Sequence, residues 1–179
     1  MPDTLYHISD TPGITRFDPR PAPPTSRQVG SMVWAIDHAH LHNYLLPRDC
    51  PRVTFYALPK STAEDIARLM AGTSARYVVA IESGWMPRVL AERLYIYDLP
   101  GDTFTLLDAG AGYYISHEPV VPRAVTTLDD LLSALLAHDV ELRVMPSLWK
   151  LCDAVVTSTL QFSMIRMRNA LPRDEDELL

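Results

Sequence analysis

The segment "ARYVVAIESGWMPRVLAERLYIYDLPGDTFTLLD", Ala75 to Asp108, decides the fold class. Its first eight residues form a near-continuous apolar run, the pattern of a central strand. "SGWMPRVLAE" carries Pro87 near its start and reads as a helical turn. "RLYIYDL" then alternates Leu94, Ile96 and Asp98 against Tyr95, Tyr97 and Leu99, a strand with two unlike faces. After the turn "PGD", "TFTLLD" reads as its hairpin partner. Strands and helices are mixed here without the regular β–α alternation that a doubly wound parallel sheet requires.

Outward from this segment the same mixture continues. "TLYHISD", Thr4 to Asp10, is a short strand, followed by a loop from Ser9 to Ser31 that includes "PRPAPP". "SMVWAI" is a strand, and "DHAHLHNYLL" a short helix with Asp37 as N-cap, ended by Pro47. "RVTFYAL" is a strand; "STAEDIARLMAG" is a helix with Ser61 and Glu64 as capping box and Gly72 as stop. "YYIS" and "VVPRAVTTL" are extended. Thr127 and Asp130 open "TLDDLLSALLAHD", in which Leu128, Leu131, Leu132, Leu135 and Leu136 form a core stripe. "VELRVM" is extended, and "PSLWKLCDAVVTSTLQ" is a terminal helix. The expected fold is α+β, a mostly antiparallel split sheet with flanking helices, as one domain over residues 1–172 with an acidic tail at 173–179.

Charge and composition narrow the function classes. Of the formal net charge of −6, the tail "RDEDELL" carries −3, one arginine against four acids, which leaves −3 for the body. An acidic chain without a basic run is a poor binder of phosphate backbones, so nonspecific nucleic-acid binding is not expected. Cys50 and Cys152 form neither a CxxC nor a zinc-finger spacing, and read as thiols of a reducing compartment. No apolar stretch approaches the ~20 residues that span a bilayer, and no secretory pattern opens the chain. A soluble cytoplasmic protein without a membrane partner is the expectation.

Three constellations bear on chemistry. In "DHAHLH", His38, His40 and His42 would share one face of a strand and suit zinc, whereas on a helix only His38 and His42 share a face. The helix reading is preferred, and no metal is expected. In "AGYYISHEPVVP", Tyr114, Ser116 and Glu118 point to one side of an extended chain, as a polar site or as the wet face of an edge strand; Pro119 keeps Glu118 extended. In "PRDCPR", Arg48 or Arg52 suits a ligand phosphate, since a guanidinium binds phosphate in bidentate fashion and the chain has no glycine-rich phosphate cradle. The alternative is an Arg–Asp pair that locks the turn.

Taken together, "LYHIS", "VWAIDHAHLHNYLLPRDCPRVTF", "ARYVVAIE" and "YYISHEPVVP" resemble an uncharacterised bacterial family of about 170 to 180 residues, most specifically in "PRDCPRVTF" and "PSLWKLCDAVV". The order of strand with histidine, strand plus helix, apolar strand and "Y-x-S-x-E-P" is more distantly similar to the ADP-ribosyltransferase fold, notably the small rifampin-modifying type and the RNA 2′-phosphotransferases. That resemblance implies NAD, a small-molecule nucleotide, bound between two half-sheets, and cleavage of the nicotinamide–ribose bond through an oxocarbenium-like transition state. It implies His7 as the residue that holds a ribose hydroxyl, Tyr44 as the ring packed on nicotinamide, and Glu118 with Ser116 as the group that steadies the cation or orients the acceptor. The chain departs from the pattern in carrying Ile8, where glycine commonly follows the histidine. For His7 the residues alone also allow a hydrogen-bonded core histidine. A second class of function is a non-catalytic binding or assembly module, a homo-oligomer included, that docks through the proline-rich loop or the leucine-rich helix.

Overall fold

A computed structural model describes residues 2–22 and 28–173. Residues 23–27 of the proline-rich loop and 174–179 of the acidic tail lie outside the described residues. The strands in chain order are β1 Thr4–Ser9, β2 Arg20–Pro21, β3 Ser31–Ile36, β4 Arg52–Tyr56, β5 Tyr77–Glu82, β6 Leu94–Pro100, β7 Thr105–Asp108, β8 Tyr113–Ser116, β9 Ala124–Leu128, β10 Val140–Met145 and β11 Gln161–Ile165. The α-helices are α1 Ala63–Leu69, α2 Met86–Ala91, α3 Leu131–Ala137 and α4 Trp149–Val156. 3-10 helices cover His38–Tyr44, Ser83–Trp85 and Met167–Asn169. The architecture is α+β with mostly antiparallel sheets, and the chain divides into two compact units, residues 1–45 with 93–129 and residues 46–92 with 130–179.

In the first unit the sheet order is β7-β8-β3-β1-β6-β9, with β2 added on β3. β1 and β6 pair antiparallel over six positions, from Thr4 opposite Pro100 to Ser9 opposite Tyr95. The alternation read in "RLYIYDL" is the one the sheet uses: Tyr97 and Leu99 join Leu5, Val33, Ala35, Phe104 and Tyr114 in one core on one face, with Tyr95 packed against it. Leu5 and Leu99 oppose each other and are fully buried. Each such leucine contributes about 1.5–3 kcal/mol by leaving water. β7 pairs with β8, not with β6. The hairpin expected across "PGD" is thus replaced by one across "AGAG", where the Asp108 carboxylate accepts the N–H groups of Gly110 and Ala111 and fixes the turn. β9 closes the sheet as an edge strand beside β6. Ion pairs stand at both its ends, Arg123 with Asp3 and Asp102, and Arg93 with Asp129.

In the second unit the order is β10-β5-β4-β11. "ARYVVAIE" is its central strand, every residue of β5 buried, parallel to β10 and antiparallel to β4. One face of this sheet carries Val53, Phe55, Val78 and Ala80 into a core with Leu69 and Met70 and with Leu151, Cys152 and Val155 of α4. β11 was not expected: α4 ends at Val156, where the sequence reading extends the helix to Gln161. The leucine stripe of α3 is also narrower than its spacing predicts, since Leu131 and Leu135 are buried while Leu136 is exposed.

Two helix starts sit one signal away from their expected places. The N-cap of α1 is Thr62, which accepts the Asp65 N–H, while Ser61 accepts the N–H of Leu58 and donates to the Thr159 carbonyl. The N-cap of α3 is Asp130, which accepts from Ser133, and Thr127 belongs to β9. Asp65 then ties the start of α1 to the turn before β11. Its carboxylate accepts from Arg68 at 2.8 Å, the Thr159 N–H at 2.8 Å, the Thr159 hydroxyl at 2.7 Å and the Thr62 hydroxyl at 3.0 Å.

These donors, the Arg68 guanidinium first, hold the Asp65 carboxyl well below the usual carboxylate range. A depressed folded-state pKa adds stability above the unfolded value of about 3.9, and the contribution is lost as pH falls toward the folded value. Asp65→Asn is therefore expected to melt at a lower temperature than wild type at pH 7. Thermal melts followed by circular dichroism should show that difference closing as pH drops below about 4.

Candidate functional site

His7 lies on β1, two residues beyond Leu5, on the sheet face that carries the first unit's core, and in register with Tyr97. Its Nδ1 is 2.9 Å from the Trp34 carbonyl oxygen. A carbonyl only accepts, so Nδ1 carries the proton and, in the neutral ring, Nε2 is the acceptor nitrogen. The Phe17 ring packs on the imidazole, centroids 4.7 Å apart, and meets Tyr97 edge to face at 5.3 Å.

Tyr97 holds the loop above this face. Its hydroxyl donates to the Thr11 carbonyl at 2.7 Å and accepts the Ile14 N–H at 3.1 Å, and the side chain is 1% exposed. Further along the same loop, Phe17 and Val120 exchange both backbone hydrogen bonds, at 2.8 and 2.9 Å. That bridge ties the loop to the segment after β8. Ser116, 1% exposed, accepts the Glu118 N–H at 3.1 Å, and its hydroxyl lies 2.9 Å from Thr103 Oγ1 and 3.2 Å from the Glu118 carbonyl. The serine thus shapes a turn, and Glu118 stands exposed on it next to Pro119. His7, Phe17, Val120 and the Glu118 turn form one connected arrangement. Tyr114 contributes as a core residue of the same face.

Tyr44 stands apart from this group. The 3-10 helix His38–Tyr44 turns every three residues, which puts His38, Leu41 and Tyr44 on one side. His38 meets Tyr6, and the Tyr44 hydroxyl bonds that of Tyr113. Tyr113 alternates with Tyr114, so Tyr44 packs on the sheet face opposite to His7. Trp34 meets Tyr113 edge to face on that side. Tyr6 is opposite Asp98 there; burial, helped by that carboxylate, raises its phenol pKa.

Asp37 caps the same helix as expected, accepting the His40 N–H at 3.0 Å, but the helix is 3-10 and not α. Threefold winding sends His38, His40 and His42 in three directions, so the shared face expected for His38 and His42 does not form. His40 Nδ1 binds the Asp37 carboxylate at 2.7 Å, and His42 is buried. Among the described residues no group of three or more His, Cys, Asp or Glu side chains is placed to hold a metal ion. Gly112 is required beside this cap: its φ is +67°, and a Cβ there would stand 2.2 Å from His40 Nδ1.

Arg48 and Arg52 belong to the second unit. Arg52 is 2% exposed and donates from Nη1 to the carbonyls of Cys50 at 2.9 Å and Pro47 at 3.2 Å. It braces the turn Pro47–Cys50, which the Cys50 N–H closes on the Pro47 carbonyl at 2.9 Å. Arg48 is exposed, and its carbonyl accepts from Arg166. The acid of this turn, Asp49, pairs with Arg166 at 3.8 Å. Burial pushes the Cys50 thiol up to about 12 against the opposing pull of Arg52, and Cys152 likewise to about 11. Both stay protonated and unreactive at neutral pH.

Sequence reasoning passed over Phe17, Tyr97 and Trp34 as parts of this site. The signal for Phe17 was present, because it is the one aromatic in the sequence from Ser9 to Ser31. Compared with known proteins, the chain matches over residues 6–170 a family described as a family of unknown function, DUF6886, and it belongs to that family. No curated protein and no solved structure matches it.

Tyr97→Phe leaves the Thr11 carbonyl and the Ile14 N–H without their shared partner. The variant should lose about 1–3 kcal/mol of stability, as expected when partly buried backbone groups are left unsatisfied. Urea unfolding at constant slope measures the loss.

Proposed function

We propose that this member of DUF6886 binds a nucleotide of the NAD class at the His7 face of its first unit and acts as an enzyme related in mechanism to the ADP-ribosyltransferases. The observation that carries the reading is the tether of His7 Nδ1 to the Trp34 carbonyl. A histidine anchored in this way has one tautomer and one ring orientation, and its Nε2 is an acceptor of the kind to which a ribose hydroxyl would donate. The reaction class needs positioning and charge stabilisation more than a strong nucleophile. Glu118, exposed on a turn that Ser116 shapes two residues before Val120, the backbone partner of Phe17, supplies a carboxylate for a developing cation.

The residues of this face fit such a ligand by donor chemistry: an oriented imidazole, an aromatic ring and an exposed carboxylate on a backbone that Ser116 fixes. When bound, NAD would supply the scissile nicotinamide–ribose bond. Ser116 acts here as a positioning residue, since its hydroxyl is engaged within its own turn. Tyr44, on the opposite face, contributes to the sheet that carries His7.

Titration calorimetry with NAD tests the reading. Wild type should bind, and His7→Asn should bind about tenfold or more weakly, about 1.4 kcal/mol. Asparagine keeps an amide that can donate to the Trp34 carbonyl and removes Nε2, so its melting temperature should stay near wild type. Absence of heat at millimolar NAD, or equal affinity in the two proteins, would sink the reading.

A further inference from the structure

Residues 171–173 of the second unit run across its surface in a way that resembles a bound peptide. Glu82, the last residue of β5, is 2% exposed, and both its carboxylate oxygens accept the Leu171 N–H, at 3.0 and 3.2 Å. Trp149 Nε1–H donates to the Leu171 carbonyl at 2.6 Å. Pro172 keeps Leu171 in the extended region, where one residue's N–H and C=O point the same way. Glu82 and Trp149 therefore grip Leu171 as a neighbouring strand would, through its backbone alone. The Leu171 side chain plays no part in the grip and stays 55% exposed.

Two residues on, the contact becomes specific. The Arg173 guanidinium forms a bidentate pair with Asp153, at 2.7 and 2.9 Å, and lies over the Trp149 ring, 4.5 Å from its centroid. A planar cation held between a carboxylate and an indole face is the contact that arginine makes and lysine does not reproduce. Little apolar area holds the segment down, since Leu171, Pro172 and Arg173 are all exposed. A buried carboxylate is costly without a donor, so the groove is poorly left empty.

We propose that Glu82, Trp149 and Asp153 form a peptide-docking groove that the chain's own residues 171–173 occupy, and that its partner is an extended segment with arginine two residues after the gripped one. The own segment competes with that partner. Within the groove, recognition rests on one backbone N–H and C=O pair plus one guanidinium, so the residue between them is free to vary.

The test uses the full chain with Leu171→Pro and Arg173→Ala together, which removes the gripped N–H and the guanidinium. Ala170, at φ −66° and ψ 156°, already has the backbone that a following proline requires. A capped, labelled peptide of residues 169–173, "NALPR", is followed by fluorescence anisotropy. The double variant should bind it about tenfold or more tightly than wild type, and that binding should fall by about tenfold or more when the peptide arginine is replaced by alanine or when Asp153→Ala is added. Three results overturn the proposal: no binding at about 1 mM peptide by a double variant that melts like wild type, equal binding by wild type, or indifference to the peptide arginine. Collapse of the double variant's melting transition overturns it too, because the segment would then be an integral part of the fold and not a displaceable occupant.

Discussion

The register between β1 and β6 is the constraint on which the first unit depends. It joins residues about ninety positions apart and sets Leu5 against Leu99 and His7 against Tyr97. Side chains alternate faces along a strand, so a slip of one residue would carry Leu5 and His7 out of the core face and bring Tyr6 and Ile8 into it. The fully buried Leu5 and Leu99 pair resists that slip. The histidine inherits its place from the leucine two residues before it.

What this register positions is then fastened by hydroxyls and backbone bonds, with one loop as the common element. Tyr97 anchors the loop at Thr11 and Ile14, and Phe17 joins it to Val120. Among its described residues the loop holds only the two-residue strand β2, yet it carries Phe17 into the core and lays that ring on His7. Long irregular segments in a small fold are usually placed by a few such contacts, and their function follows from where they are pinned.

Much of the architecture was legible in the sequence where a single local signal decides the outcome. The alternation in "RLYIYDL", the unbroken apolar run of "ARYVVAIE" and the Asp37 cap each correspond to what the structure contains. Errors arose where two local signals competed or where partners are distant. Ser61 with Glu64 and Thr62 with Asp65 are equally good caps, and the choice falls to Thr159, nearly a hundred residues away, which bonds Asp65. β11 was hidden because "TSTLQ" prolongs a helical pattern, and its strand exists through pairing with β4. For the candidate site, the residue types in "TLYHIS" and "YYISHEP" single out His7, Ser116 and Glu118, and the structure joins them through Phe17 and Val120; alternation alone, however, does not tell which sheet face a distant helix covers. Tyr44 fell on the other face for that reason. Arg52 likewise reads as an exposed cation until the turn carbonyls of Pro47 and Cys50 are seen to take its Nη1 donors.

The guarded ends of β9 bear on how the protein behaves in a crowded solution. A strand at the border of a sheet presents unpaired backbone groups to any passing chain, and Val125 on this one is half exposed. Five residues between fixed charges, Arg123 at one end and the Arg93–Asp129 pair at the other, leave a foreign strand only a short run to zip against before it must desolvate an ion pair. Charged sentries of this kind act as gatekeepers against edge-to-edge aggregation. Their worth lies in the association they discourage at high concentration, a property that the stability of the isolated fold does not register.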